Sequence, residues 1–198
     1  MGKNAFGIRF GLGLLVLYSW VLASCSPQLA QAQAPNRPED IEALSAKFDA
    51  AIANCADAEP CGYLLNQVTL NQRSHPWPVV GIYVSTRNFR HHVVHEEEDD
   101  RYILDKVIIE TRRSNRLEKE AYFFDAKGQL LSYSFLQGEE GAADQDLRFF
   151  FDGTSLLAFR EKVVEAEKDY QQWTKDDAAV ILKHAKALQA QFAAMMAE

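Results

Sequence analysis

The stretch Tyr122-Phe123-Phe124-Asp125-Ala126-Lys127-Gly128-Gln129-Leu130-Leu131-Ser132-Tyr133 is answered further along by Phe149-Phe150-Phe151-Asp152-Gly153-Thr154-Ser155-Leu156-Leu157-Ala158-Phe159. Both copies read aromatic run, Asp, Gly, Leu-Leu, aromatic. Aromatic and branched side chains fill a pleated surface. Asp and Gly tolerate the positive φ that tight hairpin turns require. The repeat therefore predicts two β-hairpins in one meander. Two copies embedded among other strands are too few for a propeller or solenoid.

Side chains alternate along a strand. Phe149 and Phe151 therefore point one way and Phe150 the other, and Tyr122 and Phe124 oppose Phe123. Both faces of the sheet are apolar here, and one covering helix hides only one of them. The second face curls on itself, meets another helix, or stays open as a groove. Phe123 and Phe150 are thus the candidate binding face for an apolar ligand or a protein partner. Burial of both faces within the fold is the plain alternative.

Working outward, Tyr63 to Asn71, Val79 to Arg87, Tyr102 to Arg112 and Leu117 to Phe124 read as strands, with Ser74-His75-Pro76-Trp77-Pro78 as a breaker. A first helix starts near Pro38, with Glu39 and Asp40 at the positive end of its dipole. Ile41, Leu44, Phe48, Ala51, Ile52 and Cys55 form its apolar stripe. A last helix is capped by Thr174 with Asp177 three residues on, and carries the stripe Ile181, Ala185, Leu188, Phe192, Met195. A meander needs such a helix to cover its apolar face. The expected class is α+β: an antiparallel meander of about six strands with an N-terminal and a C-terminal helix packed on it.

The chain begins with a basic segment, Lys3 and Arg9 without an acid, followed by the apolar run Leu12 to Ala23. That run is shorter than the roughly 18 residues of a membrane span and has signal-peptide length. It ends in Leu22-Ala23-Ser24-Cys25. This tetrapeptide resembles the lipobox of bacterial lipoprotein signals, in which the cysteine is acylated and becomes the mature N-terminus; the resemblance assigns that role to Cys25. Cleavage after Ala32 is the rival, but it lies some distance beyond the apolar run. Ser26, by the same resemblance, is compatible with sorting to the outer membrane. The expected organisation is a signal over residues 1–24, a lipidated cysteine and flexible tether over 25–37, and one domain over 38–198. A tether of that length reaches about 40 Å at 3.3–3.6 Å per residue.

Charge and cysteine use agree with export. Two of the 21 bases precede Cys25 and all 28 acids follow it, which leaves 19 bases against 28 acids, net −9, in the mature part. Such a body argues against nucleic acid as a partner. With Cys25 assigned to lipid, Cys55 and Cys61 remain as an even pair and read as a disulfide. A redox motif would have two intervening residues rather than five.

Three of the five histidines, His91, His92 and His95, stand before the acidic run Glu96 to Asp100. They are the weak metal candidates. On a strand His91 and His95 are about 13 Å apart, and the zincin pattern fails because His92 stands where Glu is needed. The plain reading is a solvated loop whose histidines balance acids. Gly153-Thr154-Ser155 lacks the second glycine of a nucleophile elbow. No cofactor is implied.

From Trp77-Pro78-Val79-Val80-Gly81 through the two hairpins, about residues 77–160, the chain resembles uncharacterised exported bacterial proteins with a Tyr- and Phe-rich meander. That resemblance implies the α+β class and brings no activity or site residues. The expected role is a lipid-anchored envelope protein on the periplasmic face of the outer membrane, attached through its acyl chains. It would bind an apolar molecule or an envelope protein, or scaffold. A small periplasmic hydrolase or an enzyme inhibitor is the alternative.

Overall fold

The two aromatic runs fold as hairpins because Asp and Gly close their turns. In the first, Asp125 Oδ1 accepts hydrogen bonds from the backbone N–H groups of Lys127 (2.9 Å) and Gln129 (2.7 Å). Gly128 takes the left-handed conformation at φ +76°, and Gly153 does so in the second turn at +61°. The computed structural model describes residues 35–55, 61–73, 76–77, 81–96, 99–114, 116–139, 142–163 and 174–197. The expected export signal, Cys25 and most of the expected tether lie outside the described residues. Residues 34–198 form one compact unit.

The elements are α1 (Pro38–Cys55), β1 (Tyr63–Leu70), β2 (Pro76–Trp77), β3 (Gly81–His95), β4 (Asp100–Arg113), β5 (Arg116–Phe124), β6 (Leu130–Glu139), β7 (Ala142–Asp152), β8 (Ser155–Val163), a 3-10 turn (Lys175–Asp177) and α2 (Ala178–Met196). Among the described residues, seven strands pair antiparallel in the order β1-β3-β4-β5-β6-β7-β8, and the two-residue β2 lies against β3. The meander is thus one strand longer than the six expected. The segment from Arg90 to His95, expected as a solvated loop, extends β3 instead and pairs with β4 from Asp100 onward. Its Val93-Val94 pair suits a strand, and a bulge at Arg90/His91 shifts the register there.

Register lines up one aromatic row across the sheet: Asn66, Phe89, Val107, Tyr122, Tyr133, Phe149 and Phe159 are successive cross-strand partners. This face carries the main core. On it α2 buries Ile181, Leu188 and Phe192, with Ala178 and Ala185, and Leu182, Met195 and Met196 pack at the margin. Thr174 closes the 3-10 turn ahead of α2 rather than the helix itself: the Thr174 N–H donates to Asp177 Oδ2 (2.6 Å), and Thr174 Oγ1 accepts from the Asp176 N–H (3.3 Å), while Asp177, at the N-cap of α2, makes no side-chain capping bond.

The opposite face is covered by α1. Ile41 and Phe48 insert over Phe123, Leu131 and Phe150, with Ile52, Tyr63 and Ala158 partly buried around them. Leu44, expected in the stripe, is 41% exposed. At the helix end Cys55 and Cys61 are joined by a disulfide across a Cα–Cα distance of 5.1 Å. No helix among the described residues is long and apolar enough to cross a membrane.

Candidate functional site at the seam between the first helix and the sheet

The face under α1 is built by alternation. Because Tyr122, Phe149 and Phe151 turn toward α2, their neighbours Phe123 and Phe150 turn toward α1. Register then sets a second row, Leu65, Arg90, Lys106, Phe123, Ser132, Phe150, Ala158, across all seven strands. Two residues along each strand, roughly 6.6 Å away, the adjoining row places Ser134, Arg148 and Arg160 side by side. An aromatic patch is therefore flanked by cations on both sides.

Phe123 is 5% exposed and Phe150 1%. These rings form no open groove: α1 lies on them. Phe48 meets Tyr63 edge-on, with ring centroids 5.1 Å apart, and lies 5.8 Å from Phe123. The rest of the seam is polar. Lys106 Nζ donates to both carboxylate oxygens of Asp49 at 2.7 Å and to Ser45 Oγ at 3.3 Å. Its side chain is 8% exposed, that of Asp49 55%. Arg148 donates to Glu42 (3.1 Å) and to Asp146 (3.2 and 3.0 Å). Arg160 donates to Glu42 (3.1 Å) and Glu39 (2.5 Å). The Glu39 carboxyl is held below its ordinary pKa by a backbone hydrogen bond and by Arg160. Lys106 and Arg160 also stand over the Phe123 and Phe150 rings, at 6.0 and 5.3 Å from the centroids.

Between helix and sheet is a cavity of about 240 Å³. Its walls include Ser45, Asp49, Lys106, Ser132, Ser134 and Arg148. Serine, lysine and carboxylates meet here, with no histidine among the described residues that line the cavity, and Lys106 is the donor in its contacts with Ser45 and Asp49. The arrangement sets charged groups beside apolar surface. A second hollow at the C-terminal end of α1 is bounded by Ile52, Ala53, the disulfide, Tyr63 and Arg90.

The histidine trio is dispersed. His91 faces α2 and is 1% exposed, with its ring 5.0 Å from that of Phe192 and 6.0 Å from that of Tyr102. His92 faces the other way and pairs with Asp105 at 2.8 Å, and His95 pairs with exposed Asp100 at 2.7 Å. No group of three or more metal-ligand side chains is assembled among the described residues.

The chain also builds a polar network that was not singled out in the sequence. Tyr122 and Tyr133 both donate to Glu120 Oε2, at 2.6 and 3.3 Å, and Tyr122 Oη meets His184 Nδ1 of α2 at 2.7 Å. Burial pushes both phenol pKa values far up, and the Glu120 charge adds to it, so the phenols stay protonated. With the Tyr122 proton directed to Glu120, His184 must donate from Nδ1. The network latches α2 to the sheet. Its one sequence signal was the spacing of His184 within the Ile181–Leu188 stripe. No protein-family model, curated protein or solved structure matches the chain.

Proposed function

We propose that this chain is a lipid-anchored binding protein of the cell envelope, held through Cys25 at the periplasmic face of the outer membrane. It takes an apolar ligand or a protein partner on the sheet face beneath α1. One observation carries the reading: α1 sits on an aromatic patch through few apolar contacts and many polar ones. Only Ile41 and Phe48 of its eighteen residues are buried. Besides Ile52 at the margin of the patch, the Lys106–Asp49 pair and the disulfide at the helix end, its contacts are the exposed ion pairs of Glu39 and Glu42 with Arg148 and Arg160, which contribute little each and weaken in salt. A cavity bounded on the helix side by Glu42, Ser45, Ala46 and Asp49 lies between the middle of α1 and the sheet. A cover seated in this way can lift while the α2-side core stays intact.

The lipobox resemblance of Leu22-Ala23-Ser24-Cys25 and the net −9 of the mature part support the location. The test is uptake of an apolar probe dye by the full chain carrying Ile41→Ser and Phe48→Ser, which removes both pins. Saturable uptake with a melt close to wild type supports the reading. A chain that stays folded and takes up no dye overturns it.

A further inference from the structure

α1 has the look of an occupant as well as a cover. Over Pro38–Cys55 it carries the acids Glu39, Asp40, Glu42 and Asp49 against the single base Lys47. Asp40 is engaged by Arg37 just ahead of the helix. The other three reach down to Arg160, Arg148 and Lys106 on the sheet. Ile41 and Phe48, two turns apart, fill the aromatic patch between them. Arg90 borders the hollow at the helix C-terminus, the end that favours a cation. In a body of net charge −9 this face stands out as basic, with Arg90, Lys106, Arg148 and Arg160 on it and Asp146 the acid paired to Arg148.

We infer that the face beneath α1 is a receptor for an acidic amphipathic helix of a partner protein, and that α1 occupies it as an internal stand-in. The inference rests on the reading that α1 lifts, and adds the chemistry of what replaces it. The complement is read from α1: two apolar side chains seven residues apart, with a carboxylate one residue after each pin and another two before the first. Glu39, Ile41 and Glu42 give the first set. Phe48 and Asp49 repeat it without the leading acid, since position 46 is Ala. An apolar ligand without charge would strip Arg160 and Lys106 of their α1 carboxylates and leave Arg148 with Asp146 alone once α1 withdrew. An acidic helix pairs them again. The tether ahead of Pro38 leads toward Cys25, so anchoring and α1 share one end of the chain.

The probe is a labelled peptide of this chain's own residues 36–54, followed by fluorescence anisotropy with the full chain. Two opened chains are used: Glu39→Lys with Glu42→Lys, which repels α1 from the arginines, and Ile41→Ser with Phe48→Ser, which removes the pins and leaves the charges. A tethered helix competes at an effective concentration in the millimolar range, so each opened chain should bind the peptide at least about tenfold more tightly than wild type. Adding Arg148→Glu and Arg160→Glu to the second chain should abolish that gain. A peptide carrying Glu39→Lys and Glu42→Lys should restore it. Peptide binding no tighter than in wild type, with dye uptake intact, overturns this inference and leaves the apolar-ligand reading standing. Absence of both overturns both. Concentration-dependent dimers of the opened chains that exclude the peptide also overturn it, in favour of helix exchange between copies. If the lysine variants fail to fold, the serine pair alone decides.

Discussion

Phe48→Ala, compared with Phe149→Ala, separates a cover from a core. Both replace a ring buried against other aromatics. Phe149 is fully buried, with ring centroids 4.6 Å from Phe159 and 5.9 Å from Tyr133. Removing it leaves a cavity in the main core and should cost about 3–5 kcal/mol. Phe48 is 8% exposed and gains its transfer energy, roughly 1.5–3 kcal/mol, plus about 0.5–1.5 kcal/mol from its edge-on contact with Tyr63. If α1 opens as a local unit, the loss cannot exceed the free energy that seats the helix. The global cost of Phe48→Ala should then stop near 1–2 kcal/mol. Denaturant melts followed by far-ultraviolet circular dichroism give both values, and limited proteolysis should show new cleavage within 38–55 for Phe48→Ala alone. Equal costs of 3–5 kcal/mol in a single transition, with no selective cleavage, would refute the reasoning.

Other outcomes follow from single features. Cys25→Ala should move the protein from the membrane fraction to the soluble periplasm or leave it unprocessed; wild-type protein labelled in cells and found without an acyl chain contradicts the anchor. Mature protein unfolded without reductant should show no alkylatable thiol, and Cys55→Ser with Cys61→Ser should cost about 1–3 kcal/mol while sparing the fold, since the loop is short. Burial holds the His91 imidazole below its ordinary pKa, with the Phe89 backbone and Asp105 pulling the other way and His92 adding to the depression. Below about pH 6.5 the unfolded chain therefore takes up a proton that the folded chain refuses, and stability should fall with pH by up to about 1.4 kcal/mol per unit. His91→Leu should flatten that part of the stability profile, and an unchanged slope would contradict the assignment.

The residues that declared the fold are those whose spacing is their function. The aromatic-Asp-Gly repeat predicted the hairpins because turn chemistry and alternation are both local. The α2 stripe from Ile181 to Phe192 predicted a docked helix for the same reason. The full length of β3 was less legible. Its second half, Arg90 to His95, carries histidines and runs into acids, so composition suggested a loop while pairing with β4 decided for a strand. The seam was half legible. Alternation placed Phe123 and Phe150 on the second face, but that α1 covers them depends on a contact between distant segments. The ladder of Lys106, Arg148 and Arg160 against Asp49, Glu42 and Glu39 depends on register, which the sequence does not print. Leu44 shows the converse: it fits the helical period, yet α1 rests on Ile41 and Phe48 and leaves it exposed.

The most direct test is hydrogen exchange of wild-type full chain, with the amides of α1 compared with those of α2 at low and at high salt. The account predicts that the amides of residues 42–55 exchange through a local opening well below the global stability, and faster as salt screens the ion pairs. The amides of residues 182–196 should keep near-global protection at both ionic strengths. Equal protection of the two helices, unmoved by salt, would show α1 to be part of the cooperative core and contradict the account.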